Sequence, residues 1–232
     1  MTFPTEPVPI PDVVIEIAAG RPVVAVWVNE LGGVTFSVDG GREYVKVYPA
    51  VSAHLLAAEV PRLRWATRFT PVPAVLAHGP GWLHTARLEG RSAVDPRWAD
   101  DPRTAARAIG TGLRHLHEAL PVDQCPFGTP SWVPVDAPQA DRLVVCHGDA
   151  CAPNTLMTDD GMFSGHVDVG DLGVADRWAD LAIATLSLDW NFPSEGPGGF
   201  QELLLEAYGV AADTERIAYY RRAWDEEDPL TG

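Results

Sequence analysis

The sequence predicts an α+β chain, with strands gathered first and helices later. Three observations carry this. Residues 22–48 alternate apolar and polar around turn signals. From Pro102 onward, apolar residues recur at helical spacing. No internal repeat or low-complexity tract interrupts the 232 residues, a length that suits one compact unit or two small lobes.

The strands come first. PVVAVWV is a β-rich run, Gly32-Gly33 is a turn, and VTFSV alternates in and out. Asp39-Gly40-Gly41 is a second hairpin turn and EYVKVY alternates again, so three antiparallel strands follow one another. Residues 1–12, rich in proline, read as an extended arm. Ser52 is expected to cap a helix over AHLLAAEV, which Pro61 should end or kink. Short strands are expected near Ala74–Ala77 and Trp82–Leu88. A boundary near Glu89–Gly90 divides the chain into residues 1–90, an antiparallel sheet with one helix, and residues 91–232, mainly helical. In the second part, helices are expected from Pro102, over Asp176–Leu188, Phe200–Tyr208 and Asp213–Trp224. LVVC at 143–146 is a short buried strand, and residues 121–141 are irregular.

Composition removes several functions. Thirty-two acids against seventeen Lys and Arg give a net charge of −15, so the chain lacks the basic face that nucleic acid requires. The same charge favours a cationic small substrate. No apolar run approaches the ~18 residues of a membrane span. The start, MTFPTEPVPIPDVV, has neither a basic beginning nor an apolar core, so it is not read as a secretory signal. Cys125, Cys146 and Cys151 form no CxxC pair and no disulfide framework, which points to a reducing cytoplasm. GxxxxGK[ST], GxSxG and GxGxxG are all missing.

The chemistry concentrates in VCHGDACAPNTLMTDDGMFSGHVDVGDLGVADRWADL. His147-Gly148-Asp149 follows an apolar strand, Asn154 comes five residues after Asp149, and Asp168-Val169-Gly170 comes fourteen after Asn154. Phosphoryl transfer to an alcohol needs one carboxylate to orient the hydroxyl and take its proton, and hard oxygen ligands for Mg²⁺. Asp149 fits the first role; Asn154 and Asp168 fit the second. A hairpin turning at Asp159-Asp160-Gly161 would bring the two ligands together.

The N-terminal strands offer a grip for a nucleotide's phosphates. Gly32 and Gly33 allow backbone N–H groups to approach phosphate oxygens. Lys46 lies amid apolar strand residues, and Glu59 in the next helix is placed to hold its ammonium. An edge-strand lysine that discourages aggregation is the alternative for Lys46. Asp176, Arg177 and Asp180 open a helix and are expected to brace the catalytic loop; His115 and His117 are given no chemistry.

With these residues in this order, the chain resembles the aminoglycoside phosphotransferases. VVCHGDACAPNTL, GHVDVGDLGVADRWADLA and VNELGGVTF are similar to the streptomycin 3″-phosphotransferase branch. The resemblance implies a protein-kinase-like two-lobed fold, and a monomer or weak dimer in the cytoplasm. It implies transfer of the γ-phosphate of ATP, with GTP as alternative donor, to a hydroxyl of an aminoglycoside, conferring antibiotic resistance. Asp149 would be the base, Asn154 and Asp168 the Mg²⁺ ligands, and Lys46 the α/β-phosphate contact. The segment GTPSWVPVDAPQA is shorter than the helical segment the resemblance implies there, which shifts antibiotic contacts to other acids: Asp189, Asp225, Glu226 and Glu227. A kinase of another natural product or sugar, and a nucleotide-binding protein without catalysis, are the competing readings.

Overall fold

A computed structural model describes residues 4 and 6–226. They form two compact units. The first runs to Thr67 and resumes over Pro73–Leu88; the second takes Arg68–Val72 and the chain from Glu89.

The first unit is a five-stranded antiparallel sheet. Its strands are β1 (Val23–Val28), β2 (Val34–Val38), β3 (Glu43–Val47), β4 (Val75–Gly79) and β5 (Trp82–Ala86), in the order β1-β2-β3-β5-β4. β3 is therefore the middle strand. Lys46 lies opposite Thr35 on one side and Leu83 on the other. An edge position does not explain this lysine.

Two helices accompany the sheet, where one was expected. The additional helix, α1 (Asp12–Ala18), directly follows the proline-rich arm. Its seven residues, DVVIEIA, are too few to show a helical period. Val14 and Ala18 bury against Phe36, Val38 and Val45 of the sheet. Arg21 completes its C-terminus, donating to the carbonyls of Ile17 (2.8 Å) and Ala18 (2.9 Å) and to Glu43 Oε1 of β3 (2.9 Å).

Helix α2 (Ala53–Ala66) is not ended by Pro61, which lies inside it. The proline removes the N–H that would bond to Ala57, a loss of about 3 kcal/mol in an unsupported helix. Buried side chains lie on both sides of the break: Leu56, Glu59 and Val60 before it, Leu63, Trp65 and Ala66 after it. Tertiary packing therefore carries the helix through. Ser52 occupies the N-cap position, but its hydroxyl faces the Pro49 carbonyl at 3.4 Å and caps no helix N–H.

The second unit contains β6 (Arg91–Ser92), α3 (Pro102–Ala119), β7 (Leu143–Cys146), β8 (Thr155–Met157), β9 (Phe163–His166), β10 (Gly173–Asp176), α4 (Arg177–Asn191), α5 (Gln201–Tyr208) and α6 (Thr214–Asp225). Pro102 opens α3, where its missing N–H is harmless, and Asp101 caps it by accepting from Thr104 N at 3.2 Å. α3 packs on α5 and α4 on α6, beside two small antiparallel sheets, β10-β7 and β6-β8-β9. The fold is α+β and protein-kinase-like, with helices dominating this unit. Among the described residues, no helix is long and apolar enough to cross a membrane.

Candidate active site

Three short strands aim the loops that matter. β7 delivers the chain into His147-Gly148-Asp149, and the β8–β9 hairpin places Asn154 and Asp168 at its open end. Thr155 pairs with His166 in the ladder, and Val167 N donates to Asn154 O at 3.0 Å. The turn of that hairpin falls at 158–162, closed by Gly161 N to Thr158 O at 3.0 Å.

Asn154 fixes Asp149. Its Nδ2 donates to the Asp149 carbonyl and to Asp149 Oδ2, both at 3.0 Å. With its amide N–H groups turned to Asp149, Asn154 presents Oδ1 as its remaining acceptor. Asp149 Oδ1 is buried and receives no N–H among the described residues, while the weakly donating Cys151 thiol bonds the same carboxylate. Burial pushes the Asp149 carboxyl above its ordinary range, and the charge of Asp168 pushes it further. Asp168 has φ +62, a left-handed conformation that few side chains adopt and that Asp tolerates. Two carboxylates and an amide oxygen therefore crowd one end of the hairpin, a hard-oxygen set that suits Mg²⁺.

The His147–Asp149 loop is braced from behind. Asp180, in the first turn of α4, accepts His147 N (2.6 Å) and His117 Nε2 (2.9 Å) at Oδ2, and Gly148 N (3.1 Å) at Oδ1. Burial alone would raise the Asp180 carboxyl, but the His117 bond and charge, with those of His147, hold it below the ordinary carboxylate range. His117 also bonds Tyr208 through Nδ1 at 2.9 Å. His147 Nε2 reaches the Val167 carbonyl at 3.0 Å, tying this loop to the residue before Asp168. Trp132 Nε1 donates to the Gly148 carbonyl at 2.6 Å.

His117, Cys146 and Asp180 bring ligand-type atoms within 4.8 Å of one another. Each already has a hydrogen-bond partner, with Cys146 Sγ facing the Asp176 carbonyl at 3.5 Å. Burial holds the Cys146 thiol well above its usual value, which makes it a poor metal ligand. His166 is fully buried between the rings of His147 (5.4 Å) and Phe163 (4.8 Å), and burial drives its pKa well down, so it stays neutral.

Gly148 makes this packing possible. It has φ +88, and a Cβ there would lie 2.2 Å from the Asp171 carbonyl oxygen. Gly148→Ala is expected to destabilise the protein by about 3 kcal/mol, from left-handed strain together with overpacking. The midpoint of denaturant unfolding measures it; an unchanged midpoint contradicts the close approach.

In the first unit, Lys46 Nζ binds both carboxylate oxygens of Glu59 at 2.9 Å, although thirteen residues separate them. The Glu59 side chain is 4% exposed and that of Lys46 17%. The glycine turn has a different local arrangement from the one expected. Gly33 N donates to Asn29 Oδ1 (2.7 Å) and Gly32 N to the Asn29 carbonyl (3.2 Å), so both N–H groups are engaged within the turn. A phosphate reaching the Gly33 amide would have to displace the Asn29 side chain. Gly33 is also required sterically, because a Cβ there would meet the Tyr48 ring at 2.5 Å.

The profile of the Phosphotransferase enzyme family matches residues 129–220, which include the His147–Asp149 loop, the hairpin and Asp168. Streptomycin 3''-kinase of Streptomyces griseus is 32% identical over 254 aligned positions, covering 90% of this chain and 92% of the relative. The chain belongs to the aminoglycoside phosphotransferase family. That alignment is longer than the 232 residues here, so the relative has residues without a counterpart in this phosphotransferase. Among solved structures, aminoglycoside phosphotransferase APH(3'')-Id of Streptomyces rimosus superposes with a TM-score of 0.70 at 28% identity, over 96% of this chain and 99% of the other. Its complex with ADP and streptomycin gives 0.68 at 26% identity, over 95% and 97%.

Of the acids expected to meet an acceptor, Asp189 already has partners in this phosphotransferase. Asp189 Oδ1 accepts Gly198 N at 2.7 Å and Oδ2 lies 3.5 Å from Arg221 Nη1, so its carboxylate ties α4 to the 198 loop and to α6. Glu226 is exposed just after α6, as is Asp225 at its end. Glu227 lies outside the described residues. His117 and Trp132 are the bracing residues that sequence reasoning missed. A histidine on the buried stripe of α3 was the available signal for the first; nothing local marks the second.

Proposed function

We propose that this phosphotransferase transfers the γ-phosphate of ATP to a hydroxyl of a streptomycin-like aminoglycoside, with Mg²⁺, in the cytoplasm, and so confers resistance. Support comes from the Asp149 carboxylate: Asn154 holds one oxygen, the other is buried, and the only further donor to the group among the described residues is the weak Cys151 thiol. That second oxygen is the acceptor for the substrate hydroxyl proton as the hydroxyl oxygen attacks the γ-phosphorus and the bond to ADP breaks. Asn154 Oδ1 and Asp168 would hold Mg²⁺, which would neutralise phosphate charge. Lys46, oriented by Glu59, contacts the α- and β-phosphates, and the Gly32-Gly33 turn meets the nucleotide once the Asn29 side chain releases the Gly33 N–H. On this reading residues 1–90 bind nucleotide, while residues 91–232 supply the base, the metal ligands and the acceptor site. The net charge of −15 draws in a polycationic antibiotic.

A second reading is a kinase of another small natural product or sugar. The engagement of Asp189 by Arg221 and Gly198 N favours it, since that carboxylate is not held ready for an ammonium group. One experiment separates the two. The protein is mixed with ATP, Mg²⁺ and a panel containing streptomycin, other aminoglycosides and simple sugars, and both ADP and product mass are followed. Streptomycin gaining one phosphoryl group is the expected result. Turnover with another acceptor and none with streptomycin would replace the first reading by the second.

A further inference from the structure

Three guanidinium groups line one small cavity in the second unit, apart from the loops that carry Asp149 and Asp168. Arg114 and Glu118 come from α3, Arg142 precedes β7, Arg177 opens α4, and Tyr208 and Gly209 close α5. The cavity holds about 140 Å³, the space of four or five waters. In a chain with only seventeen Lys and Arg and a net charge of −15, three arginines around one opening make a local reversal of sign.

We propose that this cavity binds a phosphate-class oxyanion, either free phosphate or the phosphoryl group of a small phosphomonoester. The donor balance supports it. Arg114 Nε gives one bond to Glu118 Oε1 at 2.9 Å, and Arg177 faces Asp141 through Nε and Nη2. Each guanidinium carries five N–H groups, so donors remain on both. Arg142 has no carboxylate within ion-pair range among the described residues. Tyr208 contributes no anionic oxygen: burial drives its phenol up to about 12, and its hydroxyl is engaged by His117 and Arg177. The lining is thus rich in forked donors, with Glu118 its single carboxylate. A tetrahedral oxyanion, with acceptors in several directions, matches forks arriving from three elements better than a planar carboxylate does. A second cavity of about 510 Å³ shares Arg177 and Gly209, and it offers room for the organic part of a phosphomonoester.

Calorimetric titration of the full chain with inorganic phosphate and with glycerol 3-phosphate, at constant ionic strength in chloride, tests the site. Binding is expected to survive Asp149→Asn. It should weaken at least ~10-fold in an Arg114→Ala/Arg142→Ala double variant, since charged hydrogen bonds are lost. Both substitutions are at exposed positions. Circular dichroism checks that the double variant is folded, and Arg142→Ala alone, with a smaller loss in the same direction, serves if it is not. Tighter binding of the phosphomonoester identifies it as the source; equal or weaker binding identifies free phosphate. No binding above chloride, or equal binding by wild type and the arginine variants, overturns the proposal.

Discussion

Replacing Asp149 with Asn should lower kcat by at least ~100-fold while leaving the fold as stable as before. The substitution keeps the size and shape of the side chain and removes the acceptor charge. Asn154 holds one Asp149 oxygen at 3.0 Å, and the other is buried with no N–H donor among the described residues, so the geometry around an amide would change little. Burial and the neighbouring Asp168 both disfavour the charged form of Asp149. Neutralising the side chain therefore relieves repulsion in the metal-free protein, and the unfolding midpoint should stay level or rise. A loss of activity without a loss of stability marks a residue kept for chemistry. A kcat within threefold of wild type would remove Asp149 from the role of base.

Asp180→Asn should behave in the opposite way, with stability falling by about 3 kcal/mol or more. The carboxylate accepts three N–H groups, from His117, His147 and Gly148. A carboxamide can accept at one oxygen only, and its NH₂ would confront a donor. Because the brace holds the peptides on either side of Gly148, kcat should fall with stability. The pH dependence follows from the depressed Asp180 carboxyl. A folded-state pKa below the unfolded one supplies stability above the ordinary carboxylate value, and that stability is lost as pH falls through the folded value. Wild type should therefore lose part of its stability on acidification that Asp180→Asn has already lost, so the two unfolding midpoints should converge at acid pH. Midpoints that stay parallel down to strongly acid pH would contradict the ionised brace.

The contrast between these residues shows what a sequence can disclose. Strand alternation placed Lys46 on β3, and a helix thirteen residues later put Glu59 within reach, because both contacts depend on local periodicity and short connections. The β8–β9 hairpin was legible from Asp159-Asp160-Gly161, so Asn154 and Asp168 could be expected at one end. His117 was not legible as a bracing residue: its partners, Asp180 and Tyr208, lie 63 and 91 residues away, and only packing brings them together. Trp132 was hidden in the same way, inside a segment without regular structure. Pro61 does not end α2, because the helix is buried on both sides of the proline. Asn29 was overlooked because Gly32-Gly33 draws the eye, yet its side chain takes up the Gly33 N–H. The acidic residues read as antibiotic contacts had the weakest basis, since a carboxylate's partner cannot be read from its neighbours in sequence.

The proposed phosphoryl transfer requires that Lys46 and Asp168 each contribute to nucleotide binding. Calorimetric titration of Mg²⁺·ATP into wild type, Lys46→Ala and Asp168→Ala tests this most directly. Each substitution should weaken the same binding event at least ~10-fold, since each removes a charged contact to the phosphates or to their metal. Unchanged affinity in either variant, with the fold intact by circular dichroism, would contradict it.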